Sequence, residues 1–197
     1  MNKSPYLNTD KEKWTEITED LVRTHPLDET ELVKMVLEAW NNIFKTSIGR
    51  HNLQIGKHIF PKPQVVGALL HELIPAEISA TYPDTWRGEE TADDKDIVYI
   101  PDDYYSIELK TSSHATQIFG NRSYAQKPSS EKKGKDGFYL TVNFEKFSKT
   151  NTNPNITIIR FGWLDHTDWI GQKANTGQQA RLLPETYDLK LKTLYRK

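Results

Sequence analysis

The run Asp96-Ile97-Val98-Tyr99-Ile100, followed after Pro101-Asp102-Asp103 by Tyr104-Tyr105-Ser106-Ile107-Glu108-Leu109-Lys110, decides the reading of this chain. Ile97 to Ile100 has the apolar, β-branched content of a short strand. Pro101-Asp102-Asp103 has turn chemistry, and Tyr104 to Lys110 reads as a returning strand, so the two form a predicted hairpin. Side chains alternate across a strand, which puts Glu108 and Lys110 on one face and Ile107 and Leu109 on the other, toward a core. With Asp96 opening the first strand, two carboxylates and one ammonium converge. Carboxylate oxygens suit Mg²⁺, which takes few protein ligands and keeps room for water and phosphate. Such an ion polarises a phosphate and lowers the pKa of a bound water, while a lysine orients that water or offsets developing negative charge. Phosphodiester hydrolysis needs all of these. An acid followed by Glu-X-Lys also arises by chance as a surface pattern, and only its placement on paired strands gives it weight.

Upstream of the hairpin the pattern is helical. Trp14, Ile17, Leu21 and Val22 recur at helical spacing, so residues 10–24 form a predicted helix ended by His25-Pro26. Asp28 caps a second helix and Glu31 completes a capping-box pattern. Its stripe runs from Leu32 through Phe44, with Gly49 as the stop. A third helix starts near Pro63, with Val66, Leu69, Leu70 and Leu73 as its apolar face. Downstream, residues 138–144 alternate as a strand. Residues 155–164 read as another, with Ile156 and Ile158 on one face and Ile159, Phe161 and Trp163 on the other. Residues 113–136 and 171–179 read as loops. Helices first and strands later predict an α/β domain: a central mixed sheet flanked by helices, one domain over 1–197. Residues 1–50 form its helical N-terminal part and a dimerisation candidate, and 59–182 its catalytic and DNA-binding core.

The chain of 197 residues carries no cysteine, which excludes disulfides and thiolate metal sites and points to a reducing, cytoplasmic setting. No apolar stretch reads as a signal peptide or membrane span, so no membrane partner is expected. Net charge is −1, but its distribution is uneven. From Glu72 to Glu108 eleven acidic residues face two basic ones, whereas Lys110 to Lys135 carries six basic and one acidic. From Lys146 to Lys197 nine basic residues face four acidic. Such blocks occur as ordinary solvated faces. They also suit an enzyme that gathers cations at one point and a polyanion around it.

The run DKDIVYIPDDYYSIELKTSSHATQIFGNRSYAQ, residues 94–126, resembles type II restriction endonucleases of the PD-(D/E)XK superfamily, most closely the ScaI-type group. The similarity extends over about Ile59 to Leu182, and its more selective part is IELKTSS followed by FGNRSYAQ. The resemblance implies a restriction-endonuclease-like core and Mg²⁺-dependent, sequence-specific hydrolysis of double-stranded DNA. It implies catalytic roles for Asp96, Glu108 and Lys110. It places the metal on Asp96, Glu108 and Leu109, the last of which has only its main-chain carbonyl to offer. Lys95 stands where the superfamily's name has proline, which leaves Asp93 and Asp94 as rivals of Asp96. An acid on the helix before the hairpin is a further catalytic candidate: Glu72, or less directly Glu77. His71 is a lone histidine, and without His-Glu-x-x-His no zinc site is expected.

Two polar clusters are candidates for DNA contact: Gln117, Asn121, Arg122, Ser123, Gln126 and Lys127 after the Glu-X-Lys strand, and Lys173, Asn175, Gln178, Gln179 and Arg181 after the last strand. Arginine pairs with guanine edges, and Asn or Gln with adenine edges. Lys132, Lys133 and Lys135 are candidates for phosphate. Trp163 and Trp169 read as core. The usual palindromic sites of the resembled enzymes imply a homodimer. The rival functions are a repair or junction-resolving nuclease with the same core, and a non-catalytic DNA-binding module.

Overall fold

The computed structural model describes residues 4–127, 135–174 and 176–197, and all structural statements concern these. In chain order the elements are α1 (Trp14–Arg23), α2 (Glu29–Phe44), α3 (Pro63–Thr81), β1 (Trp86–Gly88), β2 (Ile97–Tyr99), β3 (Ile107–Ser112), β4 (Phe119–Asn121), β5 (Gly137–Phe144), β6 (Ile156–Leu164), β7 (Trp169–Gly171), β8 (Gln179–Leu182), α4 (Pro184–Leu189) and β9 (Lys192–Arg196). Asp28 caps α2 as expected, accepting from the amides of Thr30 at 2.8 Å and Glu31 at 3.2 Å. The Glu31 carboxylate does not close a box; it turns toward Lys34 Nζ, 3.8 Å away. Helix α2 stops at Phe44, well before Gly49: the Lys45 amide turns back to the Asn42 carbonyl at 3.1 Å, and the Thr46 hydroxyl donates to the Ile43 carbonyl at 2.8 Å. Gly49, at φ +64°, instead serves the turn between Ile48 and Leu53.

The main sheet has the order β1-β2-β3-β5-β6-β9. Only β3 and β5 are parallel; the other neighbours are antiparallel, so the sheet is mixed, as the sequence predicts. One face carries Ile107, Leu109, Phe138, Leu140, Val142, Ile159, Phe161 and Trp163, all fully buried against the helices in the larger core. Helix α3 approaches β3 so closely at Gly67 that a Cβ there would stand 3.0 Å from Thr111 Oγ1. The register slips where Phe144 pairs with Ile156 while Asn143 pairs with Ile158. This bulge leaves Thr157 over and moves Ile156 onto the face of Ile159, correcting the pairing of Ile156 with Ile158.

The opposite face is covered by a three-stranded sheet, β4-β8-β7, over a second core of Ile118, Tyr124, Tyr139, Leu164, Trp169, Ala180, Leu182 and Leu191. The segments 113–136 and 171–179 are therefore not loops throughout. The first contributes β4 and a 3-10 turn, Arg122–Ala125, and β8 begins at Gln179. Trp163 and Trp169 are core residues. Among the described residues no helix is long and apolar enough to cross a membrane.

Candidate active site

The hairpin is real but shorter than expected. Asp102 caps a 3-10 turn, Asp103–Tyr105, by accepting from the Tyr104 amide at 3.0 Å, so β3 begins only at Ile107. Ile97 of β2 pairs with Ile107 of β3, which brings Asp96 beside the middle of the Glu-X-Lys strand. The Leu109 amide donates to Asp96 Oδ2 at 2.6 Å, fixing that carboxylate between Glu108 and Lys110. The Lys110 ammonium donates to Glu108 Oε1 and to the Leu109 carbonyl, both at 2.8 Å, and lies 3.9 Å from Asp96 Oδ2. Three oxygens, from Asp96, Glu108 and the Leu109 main chain, thus surround one cation already present. A donor set of two carboxylates and a carbonyl fits a hard divalent ion. No group of three His, Asp or Glu side chains among the described residues forms a metal cluster by itself.

The rival acids have other work. Asp94 Oδ2 accepts from Arg87 at 2.8 Å and from the amides of Glu90 and Thr91 at 3.0 Å. The Arg87 hydrogen bond, chiefly, holds its carboxyl far below the usual carboxylate range. Asp93 is exposed. Helix α3 sets Glu72 and His71 on the wall of a cavity of about 440 Å³ that Asp96 and Glu89 also line. His71 Nδ1 stands 3.6 Å from Asp96 Oδ1. Glu77 lies apart, accepting from Asn42 of α2 at 3.2 Å.

Sequence reasoning passed over Tyr124. Its hydroxyl donates to Glu108 Oε1, and two ammoniums approach its ring, Lys110 Nζ at 4.8 Å and Lys135 Nζ at 4.6 Å from the centroid. Burial, reinforced by the Glu108 charge, pushes the phenol pKa far up, so the hydroxyl stays a donor. The available signal was its position in FGNRSYAQ, two residues from Arg122.

The two polar clusters meet on the second sheet. Asn121 of β4 pairs with Gln179 of β8, and the Arg122 amide donates to the Gln178 carbonyl at 2.6 Å. The Arg122 guanidinium reaches the carbonyls of Ala174 at 3.3 Å and Gly177 at 3.5 Å. Gln179 and Arg181 point outward while Ala180 and Leu182 are buried. Asn121, Ser123, Gln126, Lys127, Lys173 and Gln178 are exposed, and Gln117 is half-buried. Asn175, Lys132 and Lys133 lie outside the described residues.

The family model described as ScaI restriction endonuclease matches residues 4–195. The type II restriction enzyme ScaI of Streptomyces caespitosus is 50% identical over 181 residues, covering 91% of this chain and 79% of that protein. No solved structure matches the chain. With a match that spans both sheets, the helices and the whole Glu-X-Lys site, this chain belongs to the ScaI restriction endonuclease family.

Proposed function

We propose that the chain is a single Mg²⁺-dependent endonuclease domain that cuts double-stranded DNA at a specific sequence, working in the cytoplasm as a homodimer. The observation that carries this reading is the gathering of Asp96, Glu108 and the Leu109 carbonyl around the Lys110 ammonium. Asp96, Glu108 and the Leu109 carbonyl would hold the ion, which when bound supplies Lewis acidity toward a phosphate oxygen and a more acidic water. Lys110 orients the attacking water and offsets charge that develops on the phosphate. Asp96 is kept in place by the Leu109 amide, and Glu108 by the Tyr124 hydroxyl. The outward side chains of β8 and of the turn after β4 read base edges, with Arg122, Gln178 and Gln179 as principal contacts.

The test is plasmid digestion. Discrete fragments are expected with Mg²⁺, and binding without cutting with Ca²⁺. Cutting that persists in excess EDTA would remove the metal from the reaction. A smear in place of bands would favour a nuclease with little sequence preference. Sedimentation should give twice the 22.8 kDa of one chain.

A further inference from the structure

A cavity of about 320 Å³ opens between the two sheets and α4, away from Asp96, and its wall includes Gln117, Arg160, Arg181, Tyr187, Asp188 and Arg196. Arg160 is only 4% exposed, and its partners are neutral: NH1 donates to Asn143 Oδ1 at 3.0 Å, and the guanidinium lies 5.1 Å from the centre of the Tyr187 ring. Asn143 is itself held, donating to the carbonyls of His114 at 2.8 Å and Gln117 at 3.1 Å. The guanidinium is therefore fixed before any ligand arrives. Among the described residues none of Arg160, Arg181 and Arg196 forms an ion pair with a carboxylate, and Asp188 is the one acid on the wall. Burying a cation without a counter-charge is costly. Burial above all lowers the pKa of Arg160, with Arg196 adding to it and Tyr187 and Asp188 opposing it. Three guanidiniums share this cavity with a single carboxylate, so its wall carries an excess of positive charge.

The register relates this cavity to the Glu-X-Lys site. Lys110 pairs with Thr141 and Thr141 with Arg160, so the three stand in a row on one face of the main sheet. Arg160 is two strand spacings from Lys110, about 10 Å, which is a few nucleotides along a DNA strand. Gln117 and Arg181, from the two polar clusters, form the rim of the same cavity. We propose that Arg160, Arg181 and Arg196 form a pocket for a backbone phosphate of the DNA, a few nucleotides from the one that is cut. This rests on the DNA-cleaving function proposed above. Arg160 is the prepositioned floor, and the exposed Arg181 and Arg196 close over the phosphate from β8 and β9.

The test uses Arg181→Gln and Arg196→Gln, both at exposed positions, and the double variant. DNA that the enzyme cuts is bound in Ca²⁺ over a series of salt concentrations. Each phosphate contact contributes about 0.9 to the slope of log affinity against log salt. Each variant should flatten the slope, and the double variant should lose about 0.9 in total, because the two arginines share one phosphate. Arg23→Gln on α1, which leaves the pocket intact, should keep the parent slope. Parent slopes in Arg196→Gln and in the double variant would overturn the proposal. Inorganic phosphate provides a second arm. If it raises the melting temperature of the parent but not of Arg196→Gln, while the DNA slopes are unchanged, the pocket serves a free anion and the DNA assignment falls. If the parent binds no DNA, the endonuclease reading fails with it, and the phosphate arm alone decides whether an anion pocket exists.

Discussion

Asp94 and Asp96 are two positions apart, and their partners separate them. Asp94 is consumed by Arg87 and two amides of its own turn, whereas Asp96 is tied to β3 through the Leu109 amide and shares the Lys110 ammonium with Glu108. Asp96→Asn should therefore lose at least about a hundredfold in cleavage rate, the lower range for removing one preorganised electrostatic contribution. Asp94→Asn should cut at close to the parent rate while melting earlier. Plasmid cleavage and thermal melting of each variant check this, and the reverse pattern would move the metal site to Asp94. Tyr124→Phe keeps the ring that Lys110 and Lys135 approach but deletes the donor to Glu108. A hydrogen bond to a charged group is worth about 1.5–3 kcal/mol, so kcat should drop about tenfold or more with circular dichroism and DNA affinity preserved. A parent-like kcat would show that Glu108 is oriented without Tyr124. Asp96, Glu108 and Lys110 were legible in the sequence because strand alternation and one turn relate them locally. Tyr124 was not, because only the crossover between parallel β3 and β5 folds its turn back over Glu108.

At the scale of elements, the corner that joins β6 to β7 and α4 to β9 holds a buried ionic cluster. Lys190 Nζ lies 2.9 Å from both Asp165 Oδ2 and Asp168 Oδ2, and Tyr6 and Trp14 cover it at 4.3 and 4.6 Å. Ser4 adds a hydroxyl to Asp165 at 2.8 Å, so the corner fastens the N-terminal segment to the C-terminal one. Lys190→Met would leave two buried carboxylates with no cation. Removing one partner of a buried pair costs about 3–5 kcal/mol, and the midpoint of urea unfolding should fall accordingly. An unchanged midpoint would mean that water reaches the cluster. Sequence patterning identified α2, α3, β5 and β6, whose length lets a period repeat. It missed β1, β4, β7, β8 and β9, whose three to five residues are too few to show alternation. Their strand character comes from partners far along the chain, as with Phe119 opposite Arg181.

For the whole molecule, acid sensitivity has an identifiable origin where α1 meets α2. His25 is buried among Trp86, Tyr105, Phe138 and Phe161. Its Nδ1 accepts from the Leu27 amide at 3.2 Å, and its Nε2 donates to the Tyr105 carbonyl at 3.1 Å, an arrangement for the neutral ring. Burial lowers its pKa from 6.5 to about 4. Above pH 6.5 neither the folded nor the unfolded chain protonates this ring, and the stability it contributes is complete. As pH falls from 6.5 to 4, only the unfolded chain takes up the proton. About 3 kcal/mol is lost across that window. Urea titrations at pH 7 and pH 4.5 should show the decline, and His25→Phe should flatten it; an equally steep fall in that variant would assign the loss to other groups. The two cores on either side of the main sheet have a consequence for how the chain tolerates substitution. The helix-side core anchors β3 through Ile107 and Leu109, whereas the smaller core anchors β4 and β8, beside which the polar clusters lie. On the function proposed above, substitutions in one layer are largely screened from the other, so a change in the DNA sequence selected need not disturb the cutting chemistry. Tyr124 joins the two, since it belongs to the smaller core and touches Glu108.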